Sequence, residues 1–238
     1  MSLPRPEGEV ILVNKPLTWT SFDVVNKVRW MSKAKRVGHA GTLDPLATGL
    51  LILCTEKKTK TIENIQAEEK EYTGEFFIGA TTPTFDLETE QDRTFDISHL
   101  TEEDIRKVFQ KFTGDIMQVP PMHSAIKVGG KRAYTSARAG ETLELQARAL
   151  HIKEFELTSF GMPNVGFRVV CSKGTYIRAL ARDIGLELGV GAHLYSLCRT
   201  RIGEFLLKDA KTIEELSFRF QKEREKGEIN SNEIAKDQ

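Results

Sequence analysis

Residues 38–51, GHAGTLDPLATGLL, hold the arrangement in this chain best suited to chemistry. Asp44 is a carboxylate between apolar Leu43 and Pro45, whose ring fixes the backbone. Gly38, Gly41 and Gly49 let another backbone approach closely. The apolar run LLILC (50–54) follows and reads as a buried strand. A segment of this kind can hold one reactive side chain rigidly at a sheet edge. The same residues would also make a plain Asp-Pro turn, and local composition leaves both readings open. A lone carboxylate fits poorly with a glycosidase, which uses two, or with an aspartic protease dyad. It suits nucleophilic catalysis, provided a cation keeps it ionised in a dry pocket.

Arg178 is the candidate cation. It falls in the first turn of a predicted helix, GTYIRALARDIGLELG (174–189), where the macrodipole disfavours positive charge unless an anion faces it. The alternative is an ordinary surface arginine. Tyr176, two residues earlier, either lines the same pocket or simply packs. Tyr72 sits in KEYTGEF, which reads as a strand, where an aromatic is ordinarily core. Its functional reading is a stacking face for a flipped base or a phenol near the reacting carbon. His39 has no second His or Cys at ligand spacing, which argues against a metal site and fits an RNA contact better. Walker, GxGxxG, HExxH and CxxC motifs are absent, so neither a nucleotide cofactor nor a metal is expected.

These residues need elements to position them. EVILVNKP (9–16) reads as a strand. Ser21 is expected to cap a helix over about 22–33, with Val24, Val25, Val28 and Met31 on one face. Residues 36–49 read as a loop, and 70–80 as a strand. Thr101 with Asp104 forms a capping-box pattern opening a helix to about Phe112. Two strands, 146–160 and 165–172, flank a turn, and HLYSLCRTRIGEF (193–205) reads as a last strand. Strands and helices alternate without βαβ regularity. The expected class is therefore α+β with a mixed, mainly antiparallel sheet.

The chain has 238 residues and zero formal net charge. Zero charge by itself argues against nucleic acid, but it conceals segregation. Residues 26–60 hold eight Lys/Arg against two Asp/Glu, and 63–104 hold two against thirteen. Residues 105–140 hold seven against one, and 166–208 seven against three. A polyanion responds to local potential, so the three basic blocks are expected to form one face. No run approaches the roughly 18–20 apolar residues of a membrane span. No signal-peptide core opens the chain. The three dispersed cysteines suggest a reducing, cytoplasmic setting.

The motifs together resemble the TruB-type tRNA pseudouridine synthases. The segments carrying the resemblance are VNKP, GHAGTLDPLATGLLIL, KEYTGEFFIG, PPMHSAIKVGGKRAYTSARAG, SKGTYIRALARDIG and GAHLYSLCRTRIGEF, in family order from about residue 9 to about 207. The resemblance implies the pseudouridine synthase catalytic fold. It also implies isomerisation of uridine 55 in the tRNA T loop, with no cofactor. It makes Asp44 the catalytic aspartate, Tyr72 the active-site tyrosine and Arg178 the aspartate's partner. Tyr176 and Leu197 would line the uracil pocket, His39 would contact the T loop, and Lys15 would sit beside the site in a Lys-Pro motif. An RNA-gripping insertion over about 120–147 would present Lys127, Lys131, Arg132 and Arg138 to phosphates. His123 stands where the family commonly has tyrosine.

The catalytic domain is expected over 9–210, with 211–238 a short charged tail, frayed from about Phe218 on, in place of a C-terminal PUA domain. The expected partner is the tRNA T arm, acting on a monomer with no membrane or protein partner. Two other readings compete: an RNA chaperone without chemistry, and an Asp-dependent nucleosidase, which the basic blocks disfavour.

Overall fold

A computed structural model describes residues 5–122, 127–128, 131–132 and 145–234, with only the backbone described at 127–128, 131–132 and 227–234. In chain order the elements are β1 (Val10–Lys15), α1 (Ser21–Ser32), β2 (Val37–His39), β3 (Ala47–Thr55), α2 (Ile62–Ala67), β4 (Lys70–Ile78), β5 (Ala80–Thr81) and β6 (Arg93–Thr94). They continue with α3 (Glu102–Lys111), β7 (Gly114–Gln118), β8 (Lys127–Val128), β9 (Lys131–Arg132), β10 (Arg148–Gly161) and β11 (Asn164–Cys171). Last come α4 (Ile177–Leu188), β12 (Ala192–Ile202), β13 (Phe205–Leu206) and α5 (Ile213–Ile234). The chain divides into two units, Met1–Glu68 with Cys198–Gln238, and Glu69–Leu197.

In the first unit β1 pairs antiparallel with β3, from Val10 opposite Cys54 to Lys15 opposite Gly49. β2 pairs antiparallel with the last three residues of β3 along its opposite edge, from Val37 opposite Thr55 to His39 opposite Leu53. Nearly every residue of β3 is buried. That explains why the sequence shows a continuous apolar run rather than alternation. Leu50, Ile52, Cys54, Ile65 and Ile202 form one core cluster. Helix α1 buries Val24, Val25, Val28 and Met31, the face its periodicity marked. Its cap is Thr20, not Ser21: Thr20 and Asp23 complete the capping box. Ser21 is already helical and its hydroxyl serves the Asp44 loop instead.

The C-terminal expectation is corrected as well. Residues 213–234 form a helix rather than a frayed tail, with Ile213, Leu216 and Phe220 buried. Charge does not prevent this, because the polar side is paired: Arg219 bonds Glu9 and Glu223, and Arg5 bonds both glutamates.

In the second unit the sheet runs β4–β11–β10–β7, with every one of these pairs antiparallel. Tyr72 lies opposite Val169. An aromatic stack forms its core. Phe76 stacks on Phe167 and Phe109 on Phe155, each at 4.0 Å between centroids, and Phe76 meets Phe109 edge-on. Helix α4 buries Ile177, Leu180, Ala181 and Ile184 and stops at Gly189, which has φ +73°. Glycine takes this left-handed cap without a Cβ penalty.

Candidate active site

Residues 40–46 connect β2 to β3, so two strands anchor the Asp44 loop at both ends. Its backbone carbonyls are held one after another. Arg199, 1 % exposed, donates from Nη2 to Gly41 O at 3.1 Å, from Nη1 to Thr42 O at 3.4 Å and from Nε to Leu50 O at 2.8 Å. The Ser21 hydroxyl donates to Leu43 O at 3.0 Å and accepts from Leu43 N at 2.9 Å. Asp44 O accepts from Ala47 N at 3.1 Å. Pro45 O accepts from Thr18 N at 2.9 Å and Lys15 Nζ at 3.2 Å. The carbonyls of 41–45 are thus all occupied, while the Asp44 residue stays half-buried.

Lys15 is completely buried, and its ammonium also donates to Pro16 O at 2.9 Å and Trp19 O at 2.6 Å. An ammonium has three N–H donors, and all three are used on backbone. Lys15 therefore ties its own turn to the Asp44 loop through backbone carbonyls. Burial pulls its pKa down to about 8, against the opposing pull of the Asp44 and Asp23 carboxylates and with a small further push from Arg199. The close approach anticipated at Gly49 is real, since a Cβ there would fall 2.4 Å from the Arg199 carbonyl oxygen.

His39 ends β2 on the same loop. Burial holds its ring below the usual histidine range; a hydrogen bond with the Gly41 backbone opposes this and Arg199 adds to it. A neutral imidazole can donate from one nitrogen and accept at the other, as a contact to a base requires.

The second unit holds Tyr72, Tyr176, Arg178 and Leu197. Arg178 is the second residue of α4 and only 5 % exposed. Its Nη1 donates to Thr84 O at 3.3 Å, and its Nε lies 3.5 Å from Asp86 Oδ2. Asp86 is an anion that helps offset a cation at a helix start, and sequence reading missed it inside an acidic stretch. Phe85, between these two partners, has φ +61°. That conformation is rare for a bulky residue. It turns the Thr84 carbonyl and the Asp86 carboxylate toward one guanidinium. The Arg182 guanidinium lies over the Phe85 ring at 5.3 Å, and Leu194 N bonds Phe85 O at 2.9 Å.

Tyr176 is the N-cap of α4 and has no side-chain cap bond of its own. Buried Gln118 holds its backbone from both ends of one amide, accepting from Tyr176 N at 2.9 Å and donating to Tyr176 O at 3.2 Å. Tyr72 is 8 % exposed within β4. Buried His193 bonds Ala80 O through Nδ1 at 3.2 Å and stacks on Phe77 at 5.0 Å. Lys127, Lys131 and Arg132 lie on β8 and β9, which pair antiparallel, but their side chains are outside the described residues, as are Arg138 and His123. Among the described residues no group of three or more His, Cys, Asp or Glu is placed to hold a metal ion, and no helix is long and apolar enough to cross a membrane.

Arg199, Ser21, Asp86 and Gln118 were not identified from sequence. The one available signal was a charged or amide residue at a buried position of a strand, as for Arg199 on β12 and Gln118 on β7.

Two solved structures share this scaffold. One, described as a Cbf5-Nop10-Gar1 complex, matches with TM-score 0.70 and 30% identity over 89% of this chain and 54% of that one. Another, described as an H/ACA RNP bound to a substrate RNA containing 2'-deoxyuridine, gives TM-score 0.69 and 28% identity over 92% and 55%. The chain spans about half the length of these two. The architecture is that of the pseudouridine synthases. A family model for the TruB family pseudouridylate synthase N-terminal domain matches residues 29–177, and one for the tRNA pseudouridylate synthase B C-terminal domain matches 178–231. The proteins named tRNA pseudouridine synthase B of Flavobacterium johnsoniae and Phocaeicola vulgatus are 52% and 55% identical over 87% of this chain and 93% and 91% of theirs. The chain belongs to the TruB family of pseudouridylate synthases.

Proposed function

We propose that this protein isomerises uridine 55 in the T loop of tRNA to pseudouridine, with Asp44 as the catalytic carboxylate. One observation supports the residue assignment: the backbone of the loop that carries Asp44 is held at every carbonyl from 41 to 45, which fixes where its carboxylate is presented. Relatives at 52–55% identity bearing the name tRNA pseudouridine synthase B support the substrate.

A uridine in a folded loop must leave its stack before a side chain can reach it, at a cost of a few kcal/mol. Contacts around the loop offset that cost, and the resemblance assigns these to His39, Tyr176 and Leu197, with Lys127, Lys131, Arg132 and Arg138 on phosphates. The carboxylate then acts at the sugar's anomeric carbon, as a base at C2′, or on the uracil ring. The glycosidic bond breaks, the uracil turns, and its carbon 5 bonds to the sugar. Tyr72 or a water takes the proton from carbon 5. Tyr72 and Arg178 keep the roles the resemblance gives them. The family's grip on the T arm supports an additional chaperone role in tRNA folding.

The test is conversion of an unmodified tRNA transcript by the purified protein without added metal, with the product mapped to its position. Asp44→Asn is expected to remove turnover while leaving RNA binding within about twofold. Normal turnover by that variant, or product at another position, would overturn the assignment.

A further inference from the structure

Within the first unit, helix α1 has a role left over once the catalytic loop is accounted for. Its inner face packs, and its outer face carries Phe22, Asn26, Trp30 and Lys33. Two of these are large aromatics left open, with Phe22 62 % and Trp30 59 % exposed. Isolated exposed apolar side chains are ordinary, but the surroundings of Trp30 are not. Lys27 Nζ lies 5.2 Å from its ring centroid, Lys33 Nζ 5.4 Å, and the Arg224 guanidinium of α5 6.0 Å. Neither lysine has a carboxylate within salt-bridge distance among the described residues. Glu214 is near enough to Lys27 for that lysine to help lower its pKa, though as the last and smallest cause. Arg224 also donates to Met31 O at 3.3 Å, which fixes it beside the indole.

Position gives the patch its meaning. Helix α1 begins at Ser21, whose hydroxyl is bonded to Leu43, the neighbour of Asp44. Nine residues separate Ser21 from Trp30, about 14 Å along the helix axis at 1.5 Å per residue. The outer face of α1 therefore leads directly away from the catalytic loop.

We infer that this face, with Trp30, Lys27, Lys33 and Arg224 at its far end, is a second RNA contact that holds the strand flanking the reacting loop. The inference rests on the proposed RNA substrate. An open indole offers a stacking surface, and cations grouped around it suit phosphates on either side of a stacked base. Three cations without a matching acidic cluster complement a polyanion. A protein partner would be favoured by an apolar centre free of charge, which this patch lacks.

The test compares the wild type with a Lys27→Ala, Lys33→Ala, Trp30→Ala variant on an unmodified tRNA transcript over a range of salt. Trp30 and Lys33 are exposed and Lys27 is half-buried, none of the three is bonded to the Asp44 loop, and a thermal melt confirms that the variant is folded. The expected result is unchanged kcat, a KM raised about tenfold, and a flatter dependence of log KM on log salt. The slope should fall by roughly 1.4–1.8, since each of the two lost phosphate contacts removes roughly 0.7–0.9. A Trp30→Ala single variant should raise KM with no change in slope, separating stacking from charge. An active wild type with variant KM and slope within twofold of it overturns the inference. A wild type that makes no pseudouridine overturns the substrate reading instead.

Discussion

Around Asp44 the neighbours grip the backbone, whereas around Arg178 they grip the side chain itself. Lys15, Ser21 and Arg199 hold carbonyls of the Asp44 loop. Arg178 instead has its guanidinium set by Thr84 O and Asp86 Oδ2, with the helix start fixed through Gln118 on Tyr176. A main-chain grip fixes where a side chain starts from without drawing on its charged atoms. A permanent cation that supplies only charge can be fixed through the charged atoms, because its protonation never changes.

The largest effect should come from breaking the backbone clamp. Arg199→Met removes charge-assisted donors from three backbone carbonyls, that of Leu50 buried and those of Gly41 and Thr42 partly so. It should lower stability by about 3 kcal/mol, read by urea unfolding. It should also lower kcat about a hundredfold, since a displacement of about 1 Å near reacting atoms can cost that much. A stability loss with kcat intact would mean that the clamp holds the fold and not the chemistry.

A smaller effect is expected on the side-chain grip. Asp86→Asn keeps the shape and an acceptor for Glu88 N but removes the charge facing Arg178. It should lower kcat about tenfold with little change in KM, measured on the same transcript. No change would show that the Asp86 charge is not what sets Arg178.

The smallest is a pH effect on the clamp. Below about pH 8 Lys15 is an ammonium with a donor for each of its three carbonyls; above it, the neutral amine has only two N–H groups. Because the pKa is depressed, the loss sets in as pH rises through about 8. The kcat profile should therefore show an alkaline limb near there, retained in Asp86→Asn. A profile flat to pH 9 would remove Lys15 from the comparison.

Much of this was legible in local sequence. The 3.6-residue spacing of Val24, Val25, Val28 and Met31, the Thr101–Asp104 box, the Gly189 stop and the uninterrupted LLILC run each report physics acting within a few residues. Asp44 stood out for the same reason, as a carboxylate among glycine, proline and apolar neighbours. Local rules also misled. Ser21 was read as a cap because its type suits one, while Thr20 had the better reach to Asp23. The stretch from Phe218 on was read as frayed because charge masked a buried Phe220.

By itself, then, the sequence determined the α+β elements, the reactive loop and the family. Only the tertiary structure decided what holds that loop. Arg199 reaches Thr42 and Gly41 across more than 150 residues, Gln118 reaches Tyr176 across 58, and Arg178 reaches Thr84 across 94. Such pairings leave no periodic trace, because a buried polar side chain is set by whichever backbone group the fold leaves unsatisfied beside it.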